Sequence, residues 1–340
     1  MTLIDRRPSR LAALAAAALL TTTATGCSGS PEAGRTPAPH RVKVTYLTGL
    51  GSFGREGYAW VAREKGYFAE AGLDVEIQPG AAGDSNLSLV AAGRAQFAVI
   101  DYAGAVVRAG TDAFTGYRLV SVVTRQTLIA MMALGGGDIA NPRDLAGRTI
   151  AQATGAVPKT LFPAYARLAG FDPSGVHWIQ ATPQQLPALL AAGRVDAIGQ
   201  FVVGEPSVRR AAQGRPVVVM PYSDYVTDLY GNVVVASTAL LESDPDLVRR
   251  FTRALVKGLL YAVDHPQESG QILHRAVPAV DAATAAEEIA LMRPYVLGDH
   301  TPGAFDPARV ARSVALIQSL RLIPAAIRPE EFVNFDTMGS

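Results

Sequence analysis

Apolar and polar positions alternate most regularly between residues 58 and 101. Trp60, Val61, Tyr67 and Phe68 recur at helical spacing among charges over residues 58–70, and Ala71-Gly72 closes that helix. Leu73-Asp74-Val75-Glu76-Ile77 alternates with the period of a strand. Asp84 or Ser85 caps a second helix that carries Leu87, Leu89 and Val90 and stops at Gly93. Phe97-Ala98-Val99-Ile100 is uncharged, as a strand covered on both faces is, and it ends at Asp101. Helix, strand, helix, strand makes a right-handed α/β unit whose ligand-facing corners are loops beside the strand ends.

The pattern returns. LVAAGRAQFAVID begins at Leu89 and LLAAGRVDAIGQF at Leu189, each a helix end, a glycine and a buried strand. This echo predicts two similar α/β lobes. Further strands are expected over 42–47, 119–124, 128–134, 149–152, 176–179, 195–198, 217–220 and 231–236, and helices near Lys159 and over 182–192. From Asp244 onward the period is helical, over 247–263, 283–292 and 307–321, and this part reads as scaffold without binding loops. The Gly-rich loop 48–57 lacks the spacing of a dinucleotide fingerprint or a Walker loop.

The opening residues differ in kind. Arg6, Arg7 and Arg10 precede an Ala/Leu run over 11–20 and a small, polar stretch to Gly26, which is the layout of an export signal. That run is too short to span a bilayer stably. Residues 28–40, rich in Gly, Pro and Ser, read as a flexible tether. The 340 residues, 49% of them apolar, suffice for a sizeable core and two domains. Thirty-one Lys and Arg against 30 Asp and Glu leave no field to draw the chain to nucleic acid. One Cys excludes a disulfide framework and a cysteine-built metal site. No nucleophile elbow or zinc-binding helix motif is present, and His177, His265, His274 and His300 are scattered. Neither a catalytic group nor a cofactor or metal site is expected.

Three sets of residues resemble a known family. KGYF from Lys65, GLDVE from Gly72 and LVAAGRAQFAV from Leu89 resemble the opening motif of solute-binding proteins of ABC importers. The branch is the SsuA-like and thiamine-pyrimidine-synthase-like one, which binds alkylsulfonate, nitrate, taurine, riboflavin or thiamine pyrimidine. DLAGRTIA from Asp144 resembles the motif that opens that family's second domain, and FDPSGV from Phe171 its following turn. Ala24-Thr25-Gly26-Cys27 resembles a bacterial lipobox with Ala24 in the usual Leu position. The resemblance, which runs over about residues 42–260, implies an α/β, two-lobed periplasmic-binding-protein-like fold (type II). Each lobe would be a mixed sheet flanked by helices, with two hinge crossovers near 125–128 and 232–236. The expected division is a lipoprotein signal peptide (1–27), a tether (28–40), lobe 1 (41–126 and 234–340) and lobe 2 (127–233). A monomer, lipid-anchored at the extracytoplasmic face through acylated Cys27, would pass its small-molecule ligand to a permease and its ATPase.

Candidate binding residues follow from the loops. Phe53 and Tyr58 border the Gly-rich loop, Ser85 and Asn86 the second helix start, and Asp101 and Tyr102 the end of the buried strand. Gln126 and Thr127 lie at the first crossover, Thr154 and Ala156 before the helix near Lys159, and Gln200, Phe201 and Glu205 after the second buried strand. Asp84 reads first as a helix cap, and a surface salt bridge competes for Asp101 and Glu205. These loops hold Asp84, Asp101 and Glu205 against Arg55 and Lys159. Carboxylates beside aromatic rings suit a flat ligand with N–H donors and repel an anion. The favoured ligand is a thiamine-pyrimidine precursor, with riboflavin-like ligands, alkylsulfonate and nitrate as alternatives. A ligand sensor that feeds no importer is another reading. A pyrimidine-synthesising fungal enzyme on the resembled fold relies on a Cys-rich motif, which this chain lacks.

Overall fold

A computed structural model describes residues 41–81, 83–111, 116–154 and 156–338. Cys27, the signal-like segment and the tether lie outside the described residues.

The strands, in chain order, are β1 (Val42–Leu47), β2 (Leu73–Gln78), β3 (Phe97–Asp101), β4 (Tyr117–Val122), β5 (Ile129–Leu134), β6 (Thr149–Ala153), β7 (His177–Ala181), β8 (Ala197–Phe201), β9 (Val217–Pro221) and β10 (Asn232–Ser237). They form two five-stranded sheets with the orders β2-β1-β3-β10-β4 and β7-β6-β8-β5-β9. In the first, β1 runs parallel to β2 and β3, while β10 lies antiparallel between β3 and β4. In the second, β6 runs parallel to β7 and β8, while β5 lies antiparallel between β8 and β9. The two sheets share one plan. The chain passes from the first to the second between Val122 and Ile129 and returns between Pro221 and Asn232.

The echo in the sequence has a structural cause. Gly93 (φ 67°) and Gly193 (φ 65°) take the left-handed conformation that ends the preceding helix. The amides of Arg94 and Arg194 then bond back to Leu89 O at 2.9 Å and Leu189 O at 3.0 Å. Three residues past each glycine, a side chain accepts from the neighbouring parallel strand. Gln96 Oε1 takes Thr45 N at 2.8 Å, and Asp196 Oδ2 takes Thr149 N at 2.7 Å. Small residues and glycine recur because the same tight helix-to-strand turn is built twice.

The helices are α1 (Tyr58–Glu64), α2 (Tyr67–Glu70), α3 (Gly83–Ala91), α4 (Tyr102–Gly110), α5 (Val157–Ala169), α6 (Leu186–Ala191), α7 (Glu205–Ala211), α8 (Thr238–Ser243), α9 (Pro245–Asp264), α10 (Pro266–Ala276), α11 (Ala282–Val296) and α12 (Pro307–Ser319). The helix expected over 58–70 is two pieces, because Gly66 (φ 78°) turns the chain out of the helical region. The helix expected over 182–192 shortens to α6, which starts with proline in its first turn. Helices α4, α7, α8 and α10 went unpredicted.

The apolar stripe of α9 closes the first sheet. Phe251 stacks on Phe97 with centroids 3.8 Å apart and on Phe68 at 5.5 Å, and it meets Tyr46 at 5.6 Å. All four rings are buried. Replacing Phe251 with Ala leaves a void between three aromatic rings. The expected loss is about 3–5 kcal/mol, read as a lowered midpoint in urea unfolding with an unchanged slope.

Candidate functional site

The loop after β1 is built to carry charges inward. Thr48 Oγ1 donates to Gly51 O at 2.6 Å and accepts from Gly80 N at 3.0 Å. Asn86 Nδ2 donates to Thr48 O at 2.9 Å and Val99 O at 3.0 Å, tying the loop to β3. Residues Gly54–Glu56 then form one 3-10 turn against α11. A Cβ on Gly54 would lie 2.5 Å from Ala285 O, so glycine is what allows this approach. The turn lays Arg55 and Glu56 beside Glu288 of α11.

Those three ionisable side chains are almost fully shielded, with relative exposures of 3% for Arg55 and 1% for both Glu56 and Glu288. Arg55 Cζ lies 4.4 Å from the Phe53 ring centroid and 4.8 Å from that of Phe201, which ends β8. Among the described residues its Nε and Nη1 find no hydrogen-bond partner, and Glu56 Oε1 and Glu288 Oε2 find no side-chain donor, while the backbone N–H of Gly49 acts on Glu56 and those of Gly54 and Arg55 on Glu288. The remaining carboxylate oxygens are used: Glu56 Oε2 accepts from Tyr58 Oη at 3.4 Å, and Glu288 Oε1 accepts from Ser207 Oγ of α7. Burial pushes both carboxyls up, and the Arg55 charge opposes it. Burial likewise lowers the Arg55 guanidinium, opposed by Glu288 and then Glu56.

Beside this cluster lies a cavity of about 40 Å³, lined by Arg55, Glu56, Ile100, Asp101, Phe201 and Asn232 among others. Asp101 caps α4 through Oδ1, which accepts from Gly104 N at 3.2 Å. The residue is half-buried, yet Oδ2 is sealed from solvent and unpartnered. Burial raises its carboxyl to about 7, against the backbone N–H groups of Gly104 and Ala103 and the charge of Arg108. On the other side of Phe53 a groove of about 690 Å³ is lined by Phe53, Ser207, Arg210, Asp281, Thr284 and Glu288, among others. No group of three or more His, Cys, Asp or Glu among the described residues is arranged to hold a metal ion.

A family model described as NMT1/THI5 like matches residues 58–269. The chain belongs to the NMT1/THI5-like family. It is 30% identical over 218 residues to a formylaminopyrimidine-binding protein of Halalkalibacterium halodurans, a match covering 64% of this chain and 65% of that one. It is 27% identical over 225 residues to the riboflavin-binding protein RibY of Chloroflexus aurantiacus, covering 64% and 62%. The matched stretch is thus less than two thirds of either relative. The fold resembles that of the alkanesulfonate-binding protein SsuA of Xanthomonas axonopodis pv. citri, with a TM-score of 0.67, 14% identity and coverage of 88% and 99%. The α/β, two-sheet periplasmic-binding-protein-like architecture expected from the sequence is the one found.

Within this NMT1/THI5-like chain, the expected site residues divide by where their side chains lie. Asp101, Ala156 and Phe201 line the small cavity and Phe53 the neighbouring groove. Tyr58 and Tyr102 do not reach either space. Tyr58 is buried against Tyr46, with hydroxyls 3.1 Å apart, and Tyr102 packs on Tyr230 and bonds Ser313. As first residues of α1 and α4 they turn under their own helices into the core. Asn86 braces the loop, as described, and Ser85 is exposed on α3.

Gln126 and Thr127 sit where the chain crosses between sheets, and Thr127 N bonds Leu229 O at 3.0 Å. Thr154 is exposed and bonds Gln180 Oε1, whereas Gln200 Oε1 is taken by Phe201 N at 2.9 Å. Glu205 pairs with Arg209 at 3.1 Å, one helical turn on, and leaves the cavity. Lys159 is exposed, its side chain 5.7 Å from the Trp178 ring centroid, and Asp84 pairs with Arg108 instead of capping α3.

Sequence reasoning missed Glu56 and Glu288 and treated Arg55 only as a nearby charge. The region read as scaffold supplies Glu288. One signal was available: Glu288 sits on the stripe of Ala285, Ile289 and Met292, where an apolar residue belongs.

The raised Asp101 carboxyl gives a pH test. Unfolded, it loses its proton near its ordinary 3.8, whereas folded it holds the proton to about 7. Its contribution to stability is therefore complete below the lower value and is lost as pH rises through the upper one. Asp101→Asn does not titrate. The melting temperature of Asp101→Asn relative to wild type should rise between about pH 4 and about pH 8. A constant difference across that range would mean the carboxyl is not held protonated.

Proposed function

We propose that this chain is the extracytoplasmic solute-binding component of an ABC importer and that it captures a small heteroaromatic ligand bearing N–H donors, an amino-substituted pyrimidine above all. One observation carries the ligand reading. Asp101 Oδ2 is a shielded acceptor without a donor among the described residues, on a carboxyl that lines one cavity with Glu56 next to the Phe201 ring. A buried acceptor without a donor costs on the order of 1–3 kcal/mol, which a ligand N–H recovers on binding. An amino group supplies such donors while its ring stacks on phenyl faces. A sulfonate or nitrate in the cavity would meet Glu56 and Asp101 as well as the cations Arg55 and Arg108, so each carboxylate works against its binding. The formylaminopyrimidine-binding relative supports the same choice.

The two-sheet plan, with the cavity lined from both sheets' loops and two chain crossings, supports capture by closure of lobes, the first containing β1–β4 and β10 and the second β5–β9. The chain would hand its ligand to a permease and its ATPase. Cys27, after the signal-like segment, would carry the lipid that holds a monomer at the membrane surface, with residues 28–40 as tether. The reading is that of a binding protein and not an enzyme.

Calorimetric titration tests the ligand. Above the Asp101 carboxyl's value of about 7, an aminopyrimidine should bind with enthalpy absent for alkylsulfonate, and Asp101→Ala should weaken it by about tenfold or more, the size of a charge-assisted hydrogen bond. Binding of sulfonate alone would refute the ligand reading. For the anchor, Cys27→Ser should move the protein from the membrane fraction to the soluble extracytoplasmic fraction. Unchanged membrane association would remove the lipid from the account.

A further inference from the structure

The guanidinium of Arg55 lies against two rings. Phe53 follows β1 of the first sheet and Phe201 ends β8 of the second, so Arg55 draws on both sheets at 4.4 and 4.8 Å. Among the described residues two of its donors are unbonded, although Glu56 and Glu288 lie close enough for their charges to act on it and each keeps an oxygen without a side-chain donor. A buried charge ordinarily takes every partner within reach. Here donors and acceptors sit side by side unjoined, and a turn of one flexible side chain would join them.

The cluster also stands at a boundary. Arg55, Glu56 and Phe201 line the cavity of about 40 Å³, while Phe53 and Glu288 line the groove of about 690 Å³. The smaller space has room for roughly three waters and excludes a substituted pyrimidine ring. A guanidinium is planar and cationic and stacks on aromatic faces as a flat N–H-bearing heterocycle does.

From this we infer that the slot on Phe53 and Phe201 is the stacking subsite for a planar, N–H-rich heteroaromatic or amidinium-like group, and that Arg55 is its internal plug. Binding rotates Arg55 off the rings toward Glu288, joins the two spaces and converts the idle donors and acceptor into an ion pair. The inference rests on the proposed binding function for its ligand and on side-chain geometry alone for the plug. Arg55, Glu56 and Glu288 all fall outside the stretch 58–269 matched by the family model.

The test is a set of calorimetric titrations on the full chain, with an aminopyrimidine and with benzamidinium as a second planar cation. Arg55→Ala removes the internal competitor, so affinity should rise by about tenfold, the size of a favourable cation–π contact. Arg55→Met, which keeps the apolar stem, replaces it if the alanine variant fails to fold. Phe201→Ala should weaken binding in either background. Glu288→Gln should weaken binding to wild type and leave Arg55→Ala unaffected, a coupling that a structural role for Glu288 would not produce. Loss of binding in both Arg55 variants would overturn the plug and make Arg55 a direct ligand contact. If wild type takes neither probe but Arg55→Ala takes benzamidinium, the plug stands and the importer ligand falls. If no variant takes either probe, the subsite itself is refuted.

Discussion

Removing a charge from water is the costliest thing this fold does, and it does so with Arg55, Glu56 and Glu288 in one place. An ion cluster so shielded persists only where its surroundings leave it no other position. Here Gly54 against Ala285, the Asn86 bonds to Thr48 and Val99, and the Ser207 bond to Glu288 supply that enforcement. Among the described residues Arg55 Nε and Nη1 stay unpartnered inside this cluster, and that is the informative part, since buried polar groups ordinarily find partners.

Much of the architecture was legible because it rests on backbone rules. Alternation in residues 73–77 and the uncharged run 97–100 marked strands, and the paired LVAAG and LLAAG stretches marked a repeated turn whose glycines both adopt positive φ. Less was legible where one residue outweighs the local pattern. Gly66 splits an otherwise continuous helical period, and α4 begins at the Asp101 cap in a stretch, AGAVVRAG, whose two glycines and two valines are poor helix formers.

The site divided along a similar line. Loops at strand ends were locatable from topology, and Phe53, Asp101, Ala156 and Phe201 followed from it. Direction was not. Tyr58 and Tyr102 occupy the expected loops but belong to the first turns of helices, whose side chains swing beneath the loop toward the core. Glu288 arrives from residues far along the chain. No local spacing connects it to Arg55, and only the close passage of α11 over Gly54 does.

The placement of β10 has a consequence for how the molecule is made. The first sheet has β3 and β4 on either side of an interior position that is filled by residues 232–237, after the whole second sheet has been traversed. A chain emerging from its N-terminus therefore holds an open seam with two unpaired strand edges until β10 arrives, whereas β5–β9 lie in one continuous stretch. Assembly order is then the reverse of chain order: the second sheet is able to finish first, and the first is sealed last. Anything that stalls the chain short of Asn232 leaves β3 and β4 exposed to pairing with a neighbour.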